Sequence, residues 1–244
     1  MSVPAPGDEA PGAARSVRAA VVLLVAIAVA ALVWLAVTFT ARGPQPVAAP
    51  TTGCASPPPP RTSIPRFSAP GPSAAAAAVG TWGATLHTTC GDVGLELDGT
   101  DAPRTVASFV QLARGGYWTD SACNRLTSYL SPTAFLQCGD PTDRRAGDPG
   151  YGLAAENVPP GGRYARGTVI MGRGGGLDTT SGEFAIVYRD FTVRPGDPVY
   201  PVFGRVLTGM EVVDAIAARG GEDTRPDGRP FRSISIRSID VARR

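Results

Sequence analysis

The sequence predicts a mainly β domain: an antiparallel barrel closed from eight strands, with a helix over each open end, behind one N-terminal transmembrane helix. Three observations predict it. An uncharged apolar run stands near the N-terminus. A proline-rich stretch follows. From Trp82 onward, short apolar segments are interrupted by only two stretches with a helical period. The implied order is a cytoplasmic segment over 1–18, a transmembrane helix over 19–41, a Pro/Ala-rich extracytoplasmic linker over 42–81 and a folded domain over 82–244.

The apolar run from Ala19 to Thr40 holds no charged residue. At about 1.5 Å per residue a helix of that length crosses a hydrocarbon core of about 30 Å. Arg15 and Arg18 precede it and Arg42 alone follows, so the positive-inside rule places the N-terminus in the cytoplasm and the rest outside. A cleaved signal peptide is the alternative, but no convincing cleavage site follows the run. A lipid on Cys54 is a further alternative; Thr51-Thr52-Gly53 before it makes a poor lipobox.

Between Arg42 and Gly80 the chain is rich in Pro, Ala and Ser, with Pro57 to Pro60 consecutive. Proline lacks an N–H and fixes φ, so the expectation here is a semi-extended tether without sheet or packed helix. Its reach is about 100 Å at about 3 Å per residue.

Eight segments read as strands: Ala84–Thr89, Val93–Asp98, Cys123–Leu126, Phe135–Cys138, Thr168–Met171, Glu183–Tyr188, Val199–Val206 and Ser233–Val241. In the last, the alternation slips at Ser238, which marks a bulge. The first helix opens at Asp101-Ala102-Pro103, shares Val106, Phe109, Val110 and Ala113 on one face, and ends at Gly115-Gly116. The second starts at Thr208 with Glu211 three residues on, the spacing of a capping box. Met210, Val213, Ile216 and Ala217 line its inner face.

Composition excludes several functions. All 23 basic side chains are Arg, they interleave with 21 acids, and the net charge is +2, so no basic patch points to nucleic acid. The one histidine, His87, rules out a multi-His zinc site and leaves no promising catalytic triad. The four cysteines lack CxxC spacing. Gly174-Gly175-Gly176 has no Lys-Ser/Thr and no helix after it, so it is not a phosphate loop.

A series of short motifs from Val93 onward goes further. Val93 to Trp118 has a strand, Ala102-Pro103-Arg104-Thr105-Val106 and a Gly-Tyr ending. Then come Cys123-Asn124-Arg125-Leu126, Leu136-Gln137-Cys138-Gly139-Asp140-Pro141-Thr142, Gly150-Tyr151 with Glu156, Gly167-Thr168-Val169-Ile170-Met171, Thr179 to Ile186, Val202-Phe203-Gly204-Arg205-Val206 and Gly209-Met210-Glu211-Val212-Val213. In this order and spacing, over about 150 residues, the chain resembles the cyclophilin-type peptidyl-prolyl cis/trans isomerases, and with its anchor it is similar to membrane-bound members from high-GC Gram-positive bacteria.

The resemblance implies a cyclophilin-like barrel that isomerises Xaa-Pro bonds without cofactor or metal. Arg125 matches the family's catalytic arginine, and Gln137 the glutamine that holds it and bonds the substrate backbone. Phe135, Met171 and Phe203 match the proline pocket or its surroundings, with Ala134 and Ala185 at its floor. Gly172 and Arg173 stand where the family's backbone pairs with the peptide. Cys123 and Cys138 fall on adjacent strands of the family's sheet, which makes a disulfide the expectation outside the cytoplasm; Cys54 and Cys90 are left open. The departures gather at the site. Glu183 stands for glutamine, Ala185 for phenylalanine and Arg173 for asparagine, no tryptophan follows Tyr188, and Ser128–Thr133 is an insertion. The implied partners are proline-containing segments of exported proteins and, through the anchor, the membrane, with no nucleic acid and the protein a monomer. A catalytically weak peptide-binding module and a structural envelope protein remain the alternative readings.

Overall fold

The computed structural model describes residues 27–29, 53–144, 148–173, 180–222 and 225–244; the side chains of Arg173, Thr180 and Ser181 lie outside that description, as does the glycine run 174–176. The chain divides into Met1–Ala49 and Pro50–Arg244. In the first unit Ile27–Val29 are helical and exposed; the rest of the expected transmembrane helix over 19–41 lies outside the described residues. Among those described, no helix is long and apolar enough to cross a membrane.

The second unit runs in order α1 (Pro72–Ala78), β1 (Thr81–Thr88), β2 (Gly91–Asp98), α2 (Pro103–Arg114), β3 (Ser121–Ala122), β4 (Arg125–Thr127), β5 (Phe135–Cys138), a 3-10 turn (Pro160–Gly162), β6 (Arg163–Tyr164), β7 (Thr168–Arg173), β8 (Thr180–Val187), β9 (Phe191–Thr192), β10 (Val202–Thr208), α3 (Met210–Ala217), β11 (Asp227–Gly228) and β12 (Ser235–Arg243). The fold is mainly β, with a curled antiparallel sheet ordered β11-β4-β5-β8-β7-β10-β2-β1-β12-β3 and a separate β6-β9 pair. Each expected strand is present at its core. The additional strands β3, β6, β9 and β11 are two residues long and are made by pairing alone, with no alternation of their own to mark them.

Alternation sets the faces. Trp82, Ala84 and Leu86 on β1 and Val93, Leu95 and Leu97 on β2 are buried, and their neighbours point outward. The slip expected at Ser238 is a register shift: His87 pairs with Ser238 and Thr88 with Ile236, leaving Arg237 over. Helix α2 buries Val106, Phe109, Val110, Leu112 and Ala113. Phe109 is the hub of the interior, its ring 4.6 Å from Trp118, 5.5 Å from Phe184 and 5.4 Å from Phe203. Helix α3 buries Val212, Val213, Ile216 and Ala217.

Two helix starts differ from the sequence reading. The residue before α3 is Gly209, at φ +80°, and no side chain caps the helix. Thr208 cannot cap because it is the last residue of β10, paired with Gly94. A Cβ at 209 would overlap the Asp92 carbonyl, so glycine is required where β10 turns into α3. At α2 the residue before the helix is Ala102, and the acceptor comes from far along the chain: Glu156 takes the Thr105 N–H at 2.5 Å and pairs with Arg104 at 3.0 Å.

The linker expectation over 42–81 is corrected from residue 53 on. Cys54 is bonded to Cys90, which settles their state and leaves no thiol for a lipid. Ala55 N–H donates to Thr89 O, Arg61 N–H to Pro141 O and Phe67 N–H to Pro149 O, while Ile64 and Phe67 pack on the core. Five alanines in α1 form a helix over Trp82, whose Nε1 donates to Ala78 O at 3.0 Å. Proline forbids a ladder inside this segment, yet its carbonyls, donors and apolar side chains still find partners on a preformed surface.

Candidate active site

The site is built on β4, β5 and β8, which lie side by side. Arg125 on β4 is opposite Gln137 on β5, and Gln137 is opposite Ala185 on β8. Directly paired residues share a face, and residues two apart along a strand share it too. Arg125, Phe135, Gln137, Glu183 and Ala185 therefore stand on one face. Leu126, Leu136, Cys138, Phe184 and Ile186 stand on the other and fill the core.

The polar members form one chain. Arg125 Nη1 donates to Gln137 Oε1 at 2.9 Å, and Gln137 Nε2 donates to Glu183 Oε2 at 2.7 Å. On its other edge Arg125 donates from Nε to Asp227 Oδ1 at 2.9 Å and from Nη2 to Asp227 Oδ2 at 2.6 Å. The guanidinium lies 5.1 Å from the centre of the Phe135 ring. Burial pulls the Arg125 pKa down; the hydrogen bond and charge of Asp227, with smaller contributions from Tyr200 and Glu183, more than offset that, so the net direction is up. The group is a fixed cation at any physiological pH.

Behind Phe135 stands an aromatic wall. Its ring is 6.2 Å from Phe191 and 5.8 Å from Tyr200. Tyr164 stacks on Phe191 at 4.9 Å, accepts the Tyr200 N–H at 2.7 Å and donates to Tyr200 O at 3.1 Å, so it sets where Tyr200 sits.

The disulfide between Cys123 and Cys138 ties the approach to β4 to the end of β5, the pairing the resemblance implied. Just beyond, buried Asp140 accepts the N–H of Thr142 at 2.8 Å, the Thr142 hydroxyl at 2.7 Å and the Arg144 N–H at 2.8 Å. The Gly-Asp-Pro-Thr motif thus shapes the turn that ends β5.

Of the residues singled out from sequence, the structure gathers Arg125, Gln137, Glu183, Phe135 and Ala185. Gly172 backs onto Glu183, where a Cβ would come within 2.8 Å of the Glu183 carbonyl. Arg173 pairs with Thr180 at the end of β7. Met171 and Phe203 are elsewhere. Met171 is opposite Phe184, and Phe203 meets Phe109, so both belong to the core face. Ala134 is fully buried, its carbonyl accepting the Tyr188 N–H at 3.1 Å. Strand parity separates them: Phe203 follows Val202, which pairs with Ile170 on the Ala185 row.

Asp227 and Tyr200 are the residues sequence reasoning missed. Asp227 lies on β11, opposite Thr127. Thr127 is two residues from Arg125 and so on its face. The Asp-Gly pair carries a turn signal but no sign of where the loop folds back. Tyr200 falls within the strand expected over Val199–Val206 but lies before β10, which starts at Val202, and meets Phe135 through tertiary packing.

A fold of this topology, with an arginine clamped on the sheet face by a glutamine, defines a class. The model of the cyclophilin type peptidyl-prolyl cis-trans isomerase family matches residues 84–241, and the chain belongs to that family. A protein called probable peptidyl-prolyl cis-trans isomerase B from Mycobacterium tuberculosis is 38% identical over 168 residues, which cover 64% of this chain and 53% of that one. Its namesake from Mycobacterium leprae is 34% identical over 171 residues, 65% of this chain and 56% of that one. The chain thus matches about half the length of these curated relatives. Among solved structures, a cyclophilin type isomerase from Cryptosporidium parvum superposes with a TM-score of 0.54 at 22% identity, covering 68% of this chain and 99% of that one, a likeness in fold.

Proposed function

We propose that the chain is a peptidyl-prolyl cis/trans isomerase acting on Xaa-Pro bonds of exported or envelope proteins, held at the membrane by its N-terminal helix. The observation that carries the activity is the clamped guanidinium of Arg125. Rotation about an Xaa-Pro bond meets a barrier of about 20 kcal/mol because the amide is conjugated. At the twisted geometry the prolyl nitrogen gains a lone pair. A fixed cationic donor aimed there stabilises the twisted state above either planar one. Asp227 and Gln137 take the Nε, one Nη2 and one Nη1 donor of Arg125. Since guanidinium has five N–H donors, one Nη1–H and one Nη2–H remain for substrate.

The sheet reads as a closed barrel of eight strands if β3 and β4 count as one bent strand and the two-residue β11 is left outside the ring. The support is that Ser121 and Ala122 pair with β12, Ala122 bridges to Asp140, and Arg125 and Leu126 pair with β5. An extracytoplasmic address is supported by the two disulfides, which persist in oxidising compartments, and by Arg15 and Arg18 before the apolar run. The domain is taken to act as a monomer on exposed proline segments.

The second reading is a peptide-binding module of reduced activity. It is favoured by Phe135, 1% exposed beneath the guanidinium, and by the small Ala185 beside it. Refolding of a protein whose slow phase is proline-limited separates the two. Catalytic amounts of the full chain should shorten that phase under the isomerase reading. An unchanged phase, with peptide binding retained, would select the binding module.

A further inference from the structure

Arg125 is held on two edges, and one of the holders comes from outside the β4–β5 hairpin. Asp227 is carried by the segment between α3 and β12. Its described residues are anchored at several points: Ser128 N–H donates to Pro226 O at 2.7 Å, Gly221 bridges to Pro230, and Glu222 N–H donates to Arg229 O at 2.8 Å. Arg229 reaches across to Asp143, Nη1 to Oδ1 at 2.7 Å and Nη2 to the carbonyl at 2.7 Å. Inside this frame β11 sets Asp227 opposite Thr127, two residues along β4 from Arg125 and on the same face.

The carboxylate meets the guanidinium side-on, through Nε and Nη2, a two-point fit that fixes the plane as well as the position of the cation. Gln137 alone, on Nη1, would fix one corner and leave rotation about it. The pair is partly exposed, with side chains 27% and 37% accessible, so its contribution to stability is modest while its geometric effect is complete.

We propose that Asp227 is a positioning residue for the isomerase reaction: it sets the plane of the Arg125 guanidinium so that the donors left by Gln137 face the prolyl nitrogen. This rests on the isomerase reading above. Asp227 thereby serves the reaction although it touches no reacting atom.

The test compares the full-length wild type with Asp227→Asn and Arg229→Ala, by exchange spectroscopy on an Ala-Pro peptide and by urea unfolding. Asp227→Asn keeps the shape and one acceptor but loses the fork and the charge. It should lower kcat about tenfold with KM within twofold, and shift the unfolding midpoint little. Arg229→Ala loosens the same segment at its Asp143 anchor and leaves the fork, so kcat should stay within twofold even where the midpoint falls. Asp227→Asn with wild-type kcat, or the two variants losing kcat in proportion to lost stability, would overturn the inference while leaving the isomerase reading intact. An inactive wild type would overturn both.

Discussion

Replacing Gln137 by Leu removes the middle of the polar chain without opening a cavity. The side chain is 7% exposed and makes two bonds to charged partners, at 2.9 Å to Arg125 and 2.7 Å to Glu183. Hydrogen bonds to charged groups contribute about 1.5–3 kcal/mol each. Arg125 is partly open to water, so the bond that orients it belongs at the low end, about 1.5–2 kcal/mol. If that orientation is realised in the twisted transition state, the same amount is added to the barrier. At about 1.4 kcal/mol per tenfold, kcat/KM falls about ten- to thirtyfold. Stability falls as well, since the Glu183 carboxylate loses a donor, by about 1–3 kcal/mol. Exchange spectroscopy on an Ala-Pro peptide reads the first quantity and urea unfolding the second. A folded Gln137→Leu protein with kcat/KM within twofold of wild type would refute the idea that the chain from Glu183 to Arg125 serves the reaction.

Two further outcomes follow from the scaffold. Cys54 and Cys90 are 36 residues apart; removing both by Cys54→Ser and Cys90→Ser restores chain entropy worth about 4 kcal/mol at most in the loop-closure account, so the urea midpoint should drop clearly, and an unchanged midpoint would show that residues 53–81 are not part of the folded unit. His87 has its pKa raised by the hydrogen bond to Asp240 and then by that to Asp92. A raised cationic group stabilises fully below its unfolded value of about 6.5 and ceases to as pH rises through the folded value. The wild type should therefore lose a little stability as pH rises above about 6.5 that His87→Gln does not, and identical slopes would contradict the pair's role.

How much was legible in the sequence depended on whether a residue's position is fixed by its own strand. β1 and β2 could be read because Trp82, Ala84, Leu86, Val93, Leu95 and Leu97 alternate. Arg125, Gln137 and Glu183 could be placed because they sit in ordered motifs on paired strands. The resemblance put Met171 and Phe203 in the pocket or its surroundings; adjacent strand residues face opposite ways, and these two stand on the core face, Met171 opposite Phe184 and Phe203 against Phe109. Asp227 was invisible because its strand is two residues long and its role comes from pairing with Thr127. Thr208 and Glu211 carry the sequence of a cap, yet Thr208 is claimed by the ladder with Gly94. The segment from Cys54 to Ala78 reads as a tether because proline breaks every period, and only the domain surface supplies what it binds.

In the proposed reaction Arg125, held by Gln137 and Asp227, stabilises the twisted prolyl amide. Exchange spectroscopy on an Ala-Pro-Phe peptide with the full chain, beside Arg125→Ala, tests it most directly. The full chain is the right material, since a fragment from Trp82 would lose α1 and the Cys54–Cys90 bond. The wild type should accelerate exchange, and a folded Arg125→Ala protein should lose that acceleration by about a hundredfold or more. No acceleration by a folded wild type, or equal acceleration by Arg125→Ala, would contradict it.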